Sequence, residues 1–180
     1  MDRRQFLRVV LAAGAGGSAA ACGYALAGHG TFLPSYIQTV GIPQFVNNTP
    51  YYEIETVFSQ DVRTEFINRG KYKIVPDSTD VDALLTGEIL GIIIAPASFT
   101  DQAQASRYVI QVSAKIEFRD MHTNKVIWDN PQWLFREEYE ATSAGDALDP
   151  TAFFAQEVNA LDRVGTEFAK SVVSTILEAF

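Results

Sequence analysis

The sequence is poor in the residues that build disulfides and metal sites. Its 180 residues include one cysteine, Cys22, and two histidines, His29 and His122. A single cysteine excludes a disulfide within the chain, so the fold depends on its hydrophobic core. Neither histidine has cysteine, aspartate or glutamate around it at metal-ligand spacing, so we expect no metal site and no other cofactor.

Motifs of nucleotide binding and catalysis are missing as well. The sequence contains no Gly-Lys-Ser/Thr phosphate loop, no Gly-x-Ser-x-Gly elbow and no Gly-x-Gly-x-x-Gly. The pairs Glu53 with Glu55 and Glu137 with Glu138 have the residue type of catalytic carboxylates, but neighbouring charges on a strand or at a helix start are usually solvated. Glu53 and Glu55 also suit the dipole at a helix N-terminus. We therefore expect that the protein is not an enzyme.

No apolar run is long enough to span a membrane, but the first 21 residues form a leader. Arg3, Arg4 and Arg8 precede a short apolar stretch and a tract of glycine, alanine and serine, which is typical of a signal peptide over residues 1–21. A spanning helix would need about 20 mostly apolar residues. Arg3 and Arg4 resemble the twin-arginine export signal, although Asp2 and Arg8 depart from its pattern. The export route therefore stays open between the twin-arginine and general pathways.

The single cysteine follows this leader directly. Residues 19–22, Ala-Ala-Ala-Cys, resemble a bacterial lipobox, in which the cysteine receives lipid, palmitate included, and becomes the first mature residue. The alternative is a buried free thiol. Gly23, in place of an aspartate, favours transfer to the outer membrane. We predict a protein lipidated at Cys22 and attached to the periplasmic face of that membrane.

Basic residues are scarce in the mature chain. Cleavage before Cys22 removes three of the 14 basic and one of the 22 acidic residues, which leaves 11 against 21 and a formal net charge of −10. Nucleic acids and anionic membranes both call for a basic footprint. We expect no nucleic-acid partner, and membrane attachment through the lipid only. Residues 22–35 are predicted to form a lipidated tether and residues 36–180 a single domain.

Hydropathy periods predict an α+β fold, a two-layer sandwich in which two helices pack on one face of a mostly antiparallel sheet of about four strands. The first strand begins near Ile37 and ends at Asn47-Asn48. A hydroxyl cap and a proline at Thr49-Pro50 predict the start of the first helix, which ends at Gly70. Residues 71–75 are predicted as a short second strand.

The middle of the chain is rich in strand signals. Residues 83–95 contain the run Ile92-Ile93-Ile94, and residues 108–119 alternate between apolar and polar side chains. Residues 125–140 are predicted to return as a hairpin strand, with a bulge at Asn130-Pro131. After a loop over residues 142–148, Asp149-Pro150 predicts a second helix that runs nearly to Phe180, about 45 Å if unbroken.

Aromatic side chains concentrate in the returning hairpin strand. Trp128, Trp133, Phe135 and Tyr139 lie within 12 residues of one another. Core packing is the favoured interpretation, and a partner-binding face is the alternative.

The order of several short segments resembles the LPS-assembly lipoprotein family, LptE. The matching segments are distributed over nearly the whole length of the mature chain: residues 22–28, Leu33-Pro34, 42–49, 53–55, 62–66, 72–75, 82–89, Arg107-Tyr108, the 120–128 hairpin and 178–180. The resemblance implies a non-enzymatic outer-membrane lipoprotein that plugs the LptD β-barrel, helps it assemble and helps lipopolysaccharide reach the outer leaflet.

The resemblance also implies basic residues that meet lipopolysaccharide phosphates. The basic residues of the central strands are Arg107, Lys115, Arg119 and Lys125, and they are the candidates for that contact; solvated strand positions, some of them paired with carboxylates, are the favoured interpretation. Two other functional classes stay open. One is a periplasmic scaffold lipoprotein of the TolB-like or curli-secretion kind, without glycolipid contact. The other is a lipid carrier with an apolar cavity between sheet and helices.

Overall fold

A computed structural model describes residues 33–69, 72–99, 105–140, 153–156 and 159–179. In chain order the described elements are β1 (Thr39–Gly41), β2 (Val46–Asn47), α1 (Ile54–Asn68), β3 (Lys73–Val75), β4 (Ala83–Phe99), β5 (Ala105–Asp120), β6 (Lys125–Glu140), α2 (Phe153–Gln156) and α3 (Ala160–Glu178). Helices and strands both contribute to one core, which confirms the predicted α+β class.

The sheet differs from the prediction in strand number and in strand direction. Its order is β3-β1-β4-β5-β6, with β2 also paired to β4, so six strands take part. Strands β4, β5 and β6 form an antiparallel meander, whereas β1 pairs parallel with both β3 and β4, and β2 pairs parallel with β4. The expectation of about four mostly antiparallel strands is therefore wrong in these respects. Helix α1 separates β1 from β3, and such a crossover permits parallel pairing.

The predicted first strand is divided in two. Residues 42–45 lie between β1 and β2, and they include Pro43, which has no N–H to give to a ladder. The bulge predicted at Asn130-Pro131 is confirmed, because Ala114 pairs with Trp133 while Ile116 pairs with Asn130, which leaves one extra residue on β6. A second bulge places Leu90 between the residues of β4 that pair with Ala114 and Ser113.

The alternation predicted for β5 sets the two faces of the sheet. Its even-numbered residues are buried beneath the helices: Tyr108, Ile110, Val112, Ala114, Ile116 and Phe118. Helix α1 reaches this face through Phe66, whose ring centroid lies 6.4 Å from that of Phe118, and α3 through Phe168, 5.8 Å from Phe135. Phe58 of α1 stacks on Phe168 at 4.7 Å. The two long helices thus pack on one face, as predicted.

Helix α1 begins later than the sequence indicated. Its first residue is Ile54, and Glu53 before it has a left-handed backbone, with φ of 64°, and makes no side-chain cap. The hydroxyl of Thr49 donates to the Asn47 side-chain oxygen at 2.7 Å, so it serves a turn of its own. The helix start at Thr49-Pro50 is therefore wrong.

The C-terminal helical stretch is described as two helices, α2 and α3. At about 1.5 Å per residue, the 19 residues of α3 span about 28 Å, shorter than the unbroken length of the prediction. Four predicted features lie outside the described residues. They are the end of the first helix at Gly70, the loop over residues 142–148, the start of the second helix at Asp149-Pro150 and its end near Phe180.

Candidate functional site

The sheet face opposite the helices, here called the outer face, is the surface on which the sequence placed two of the candidate basic residues, Lys115 and Arg119. It carries the odd-numbered side chains of β5 together with their cross-strand neighbours on β4 and β6. One row consists of Thr86, Glu117 and Asp129, and a second of Ile93, Gln111 and Arg136. The first row is entirely polar, and the second sets Ile93 beside two polar side chains.

Lys115 and Arg119 lie on the outer face with Glu117 between them, as the period of two predicted. Arg119 forms an ion pair with Glu117 at 2.6 Å and also donates to the backbone oxygen of Asn124 at 3.2 Å. Lys115 stands directly across from Glu88 of β4. Among the described residues Lys115 has no ion-pair partner within 4 Å, so it is the more available of the two cations.

The other two basic residues lie at opposite ends of the hairpin. Arg107 forms ion pairs with Glu140 at 3.5 Å and with Glu138 at 3.9 Å. Lys125 begins β6 and is the strand-register partner of Asp120 across the turn. Twelve residues of strand separate Arg107 from Arg119, or about 40 Å at the usual rise of 3.3 Å. The four basic residues therefore form no single cluster, and a ligand that met all of them would extend along the whole strand.

A shallow groove of about 170 Å³ opens on this face beside Lys115. Its lining consists of Val46, Thr86, Gly87, Glu88, Lys115 and Glu117. Glu88 also accepts a hydrogen bond from the Asn48 side chain at 2.6 Å. Two carboxylates against one ammonium group give the groove an acidic balance, so an anion entering it would depend on Lys115.

Apolar side chains are exposed on the same face. Ile93 of β4 is 61% exposed and Leu134 of β6 is 60% exposed, on either side of β5. Leu90 and Val46 extend this apolar surface toward β2, at 40% and 56% exposure. Exposed aliphatic side chains that cluster on one face, more than single ones, are typical of a surface that meets a protein partner.

The aromatic residues of β6 belong to the core, which confirms the favoured interpretation of the sequence. Phe135 and Tyr139 are buried, and the two tryptophans pack partly buried against the core on the helix side of the sheet. Their rings meet edge to face, with centroids 6.1 Å apart. The alternative, a partner-binding aromatic face, does not fit this placement.

A polar cluster that sequence reasoning missed joins β1 to the β5–β6 turn. Tyr36 donates to a carboxylate oxygen of Asp120 at 2.6 Å, and His122 lies 2.7 Å from Asp82. Asp82 also accepts from the backbone N–H of Thr39 at 2.8 Å. The hydrogen bond from Tyr36 is the largest cause that lowers the pKa of Asp120 to about 2, and the bond from Thr39 is the largest that lowers the pKa of Asp82. Both carboxylates are therefore ionised structural acceptors.

The two members of the Glu137–Glu138 pair lie on opposite faces of the sheet. Glu137 points toward the helices, 3.7 Å from Arg163 of α3, whereas Glu138 lies on the outer face near Arg107. Glu55 accepts from the Asn47 side chain at 2.8 Å. Within the described ranges no three His, Cys, Asp or Glu side chains converge as metal ligands would. These contacts are structural in kind.

Several predicted features lie outside the described residues: Arg3, Arg4, Cys22 and His29. Described residues begin at Leu33, which is 4% exposed and part of the core. None of the described helices combines the length and the apolar character that a membrane span requires.

Comparison with known proteins identifies the family. A protein-family model described as LptE, lipopolysaccharide-assembly, matches residues 37–176. No curated protein matches the chain. Among solved structures, a hypothetical protein, CT253, from Chlamydia trachomatis has a TM-score of 0.50 at 11% identity, covering 79% of this chain and 99% of its own. A PelC dodecamer subunit from Paraburkholderia phytofirmans has a TM-score of 0.50 at 14% identity, covering 82% of this chain and 93% of its own. These two likenesses show a shared fold. Because the family model covers most of the domain, the chain belongs to the LptE family of lipopolysaccharide-assembly lipoproteins.

Proposed function

We propose that this chain is an outer-membrane lipoprotein, exported under the signal that includes Arg3 and Arg4 and held at the periplasmic face by lipid on Cys22. There it plugs an LptD-type β-barrel, helps that barrel assemble and assists lipopolysaccharide insertion into the outer leaflet, without an enzymatic step. The match of residues 37–176 to the LptE model carries this proposal. One acyl chain gives only marginal binding, so several chains plus a protein partner make the attachment stable.

The outer face is the surface that we assign to the barrel wall. Helices α1 and α3 cover the other face of the sheet, and Leu134 and Ile93 expose apolar area on this one. Their removal from water on contact would stabilise the complex at roughly 25 cal/mol for each Å² of apolar surface buried. Charged neighbours such as Arg136 would remain at the polar rim of the contact.

We assign the lipopolysaccharide contact to Lys115 first and to Arg119, Arg107 and Lys125 after it. Lys115 needs to give up no ion pair with a described residue, whereas Arg107 and Arg119 would exchange a carboxylate for a phosphate. Lys115→Ala should weaken binding of purified lipopolysaccharide to the mature chain, measured by fluorescence titration. Lys73→Ala is the matched control, because Lys73 is also an exposed lysine on a strand. Equal binding by both variants would remove Lys115 from the contact.

The proposed function is tested by a mild-detergent pull-down of the tagged lipoprotein from its own outer membrane, with mass spectrometry of the proteins that accompany it. A stoichiometric large barrel is the expected companion. Leu134→Lys should reduce the barrel yield, and Ile67→Lys should not, because Ile67 is 56% exposed but lies on α1. A soluble or inner-membrane assembly in place of the barrel would favour the scaffold alternative.

A further inference from the structure

Strand β4 has one edge that is paired for only part of its length. Strand β5 follows the other edge, while β1 pairs with Ala83 and Leu84 and β2 pairs with Glu88 and Ile89. The N–H of Asn48 donates to the carbonyl of Ile89 at 3.0 Å. Beyond that bond, no strand in the described part of the chain pairs with this edge. We call residues 90–95 the free β4 edge; it ends at Pro96, which has no N–H.

The free β4 edge lacks the charged residues that normally help to prevent strand addition. No charged residue occurs between Ile89 and Thr100. Leu90 and Ile93 are exposed, at 40% and 61%, and Ala95 is exposed as well. Isolated edges in soluble proteins are usually protected by charge, proline or a bulge along the pairing region. Here the bulge at Leu90 and Pro96 only delimit an uncharged stretch about 17 Å long at 3.3 Å per residue.

The opposite margin of the sheet shows the contrast. Strand β6 is the last strand of the described sheet, and it carries a bulge next to Pro131 in its middle. Its charged residues are distributed along the strand: Lys125, Asp129, Arg136, Glu137, Glu138 and Glu140. The margin at β6 is therefore interrupted by charges, a proline and a bulge, whereas the free β4 edge carries no charge.

We propose that the free β4 edge receives an extended, uncharged segment of a protein partner, which joins the sheet as a strand in line with β2. Main-chain hydrogen bonds to the edge would hold the segment, and alternate apolar side chains would cover Ile93. A charged segment is disfavoured, because the edge has no opposite charge to offer it. The segment adds to the sheet laterally, so it leaves Lys115 and the groove open.

A second copy of this chain does not suit the edge. Pairing two six-residue edges buries far less than the roughly 1,200 Å² of a stable interface. Each mature copy also carries a formal net charge of −10, since 11 basic and 21 acidic residues remain after removal of residues 1–21. The segment must therefore belong to a partner that other contacts already hold nearby. Strand addition and barrel plugging can fail separately, because the edge defines the segment and not the identity of the partner.

Hydrogen exchange at single-residue resolution tests the proposal. Two samples are compared: the lipidated protein extracted from its own membrane in mild detergent with its bound partners, and the Cys22→Ala mature chain purified alone. Alternate amides within residues 90–95 should exchange quickly in the chain alone and at least about tenfold more slowly in the extract. Alternation is the signature of strand pairing, since only every second N–H points to that edge. The internal control is the set of β6 amides that point away from β5. Their exchange rates should be the same in both samples.

The other outcomes overturn the proposal. Fast exchange in both samples shows that nothing adds to the edge, and slow exchange in the chain alone at every concentration shows that the chain covers its own edge. Protection that grows with the concentration of the purified chain identifies a second copy, and uniform protection of consecutive amides identifies coverage by a surface.

Ile93→Lys should abolish the alternate protection, whereas Ile67→Lys should retain it. If Ile93→Lys does not fold by circular dichroism, the comparison of the two samples that retain Ile93 decides. Mass spectrometry of the extract separately reports whether a barrel is present.

Discussion

The contact between α1 and α3 predicts how Gly165→Ala changes the free energy of unfolding. Whether the variant is more or less stable depends on how closely the two helices approach each other. Gly165 of α3 lies so close to α1 that an added Cβ would stand 2.5 Å from a carboxylate oxygen of Asp61 and 2.9 Å from a methyl carbon of Val57. At an open position in a helix, alanine stabilises the helix by about 1 kcal/mol relative to glycine. Overpacking in a core costs about 1–3 kcal/mol, and two contacts below 3 Å place Gly165→Ala toward the upper end. We expect a net loss of about 1–2 kcal/mol in the free energy of unfolding.

Urea denaturation of the mature Cys22→Ala chain measures this loss. The matched control is Thr166→Ala, one residue further along α3, where the side chain is exposed and alanine should gain a few tenths of a kcal/mol. Adding Asp61→Ala to Gly165→Ala should recover part of the loss, because one Asp61 oxygen is buried without a hydrogen bond in the described structure and burial raises the pKa of that carboxyl. If Gly165→Ala stabilises the chain by about 1 kcal/mol, as at an open position, the close helix approach is refuted.

Three further predictions concern the polar cluster, the core and the anchor. Tyr36→Phe removes the largest cause that lowers the pKa of Asp120 to about 2, so the variant should be less stable than the wild type above about pH 5. That difference should shrink as the pH falls toward 2, because Asp120 then becomes protonated in both proteins; a constant difference in urea midpoints from pH 7 to pH 2.5 would contradict it. Phe168→Ala should cost about 3–5 kcal/mol, since its fully buried ring packs on Phe58 and Phe135; a loss below 1 kcal/mol in thermal unfolding would show that these rings do not pack. Cys22→Ala should move the protein from membrane to soluble fractions while its circular dichroism stays unchanged, and retention in the outer-membrane fraction without a partner would disprove the anchor.

The sequence predicted the parts of the fold that depend on local periods. Alternation along β5 placed Lys115, Glu117 and Arg119 on one face, and proline chemistry predicted the bulge in β6. The parallel direction of the short strands could not be predicted from the sequence, because hydropathy does not indicate which strand a short strand such as β1 pairs with. The helix start at Thr49-Pro50 failed since a hydroxyl followed by proline also suits a turn, and here Asn47 uses that hydroxyl.

The candidate site was predictable only in part, for a similar reason. The outer-face cations follow from the period of β5, but their ion pairs depend on β6 and on the hairpin turn. The Tyr36–Asp120 contact spans 84 residues, and no local pattern indicates it. Exposure of Ile93 was equally hidden, because the bulge at Leu90 reverses the alternation of β4 and places the middle isoleucine of an apolar run outside the core.

The mixed direction of the sheet has a consequence for the order in which the chain folds. Strands β4, β5 and β6 follow one another in sequence, so their hairpins close short loops and should form early. Strand β1 reaches its place only when residues about 40 positions apart meet, as Val40 and Ala83 do. We therefore expect the meander to form first and β1, with β3 beside it, to dock last. The hydrogen bond from Tyr36 then holds the docked segment to Asp120 at the turn, and the bond from Thr39 holds it to Asp82 at the start of β4. A refolding chain labelled by pulsed hydrogen exchange would protect the amides of β5 before those of β1.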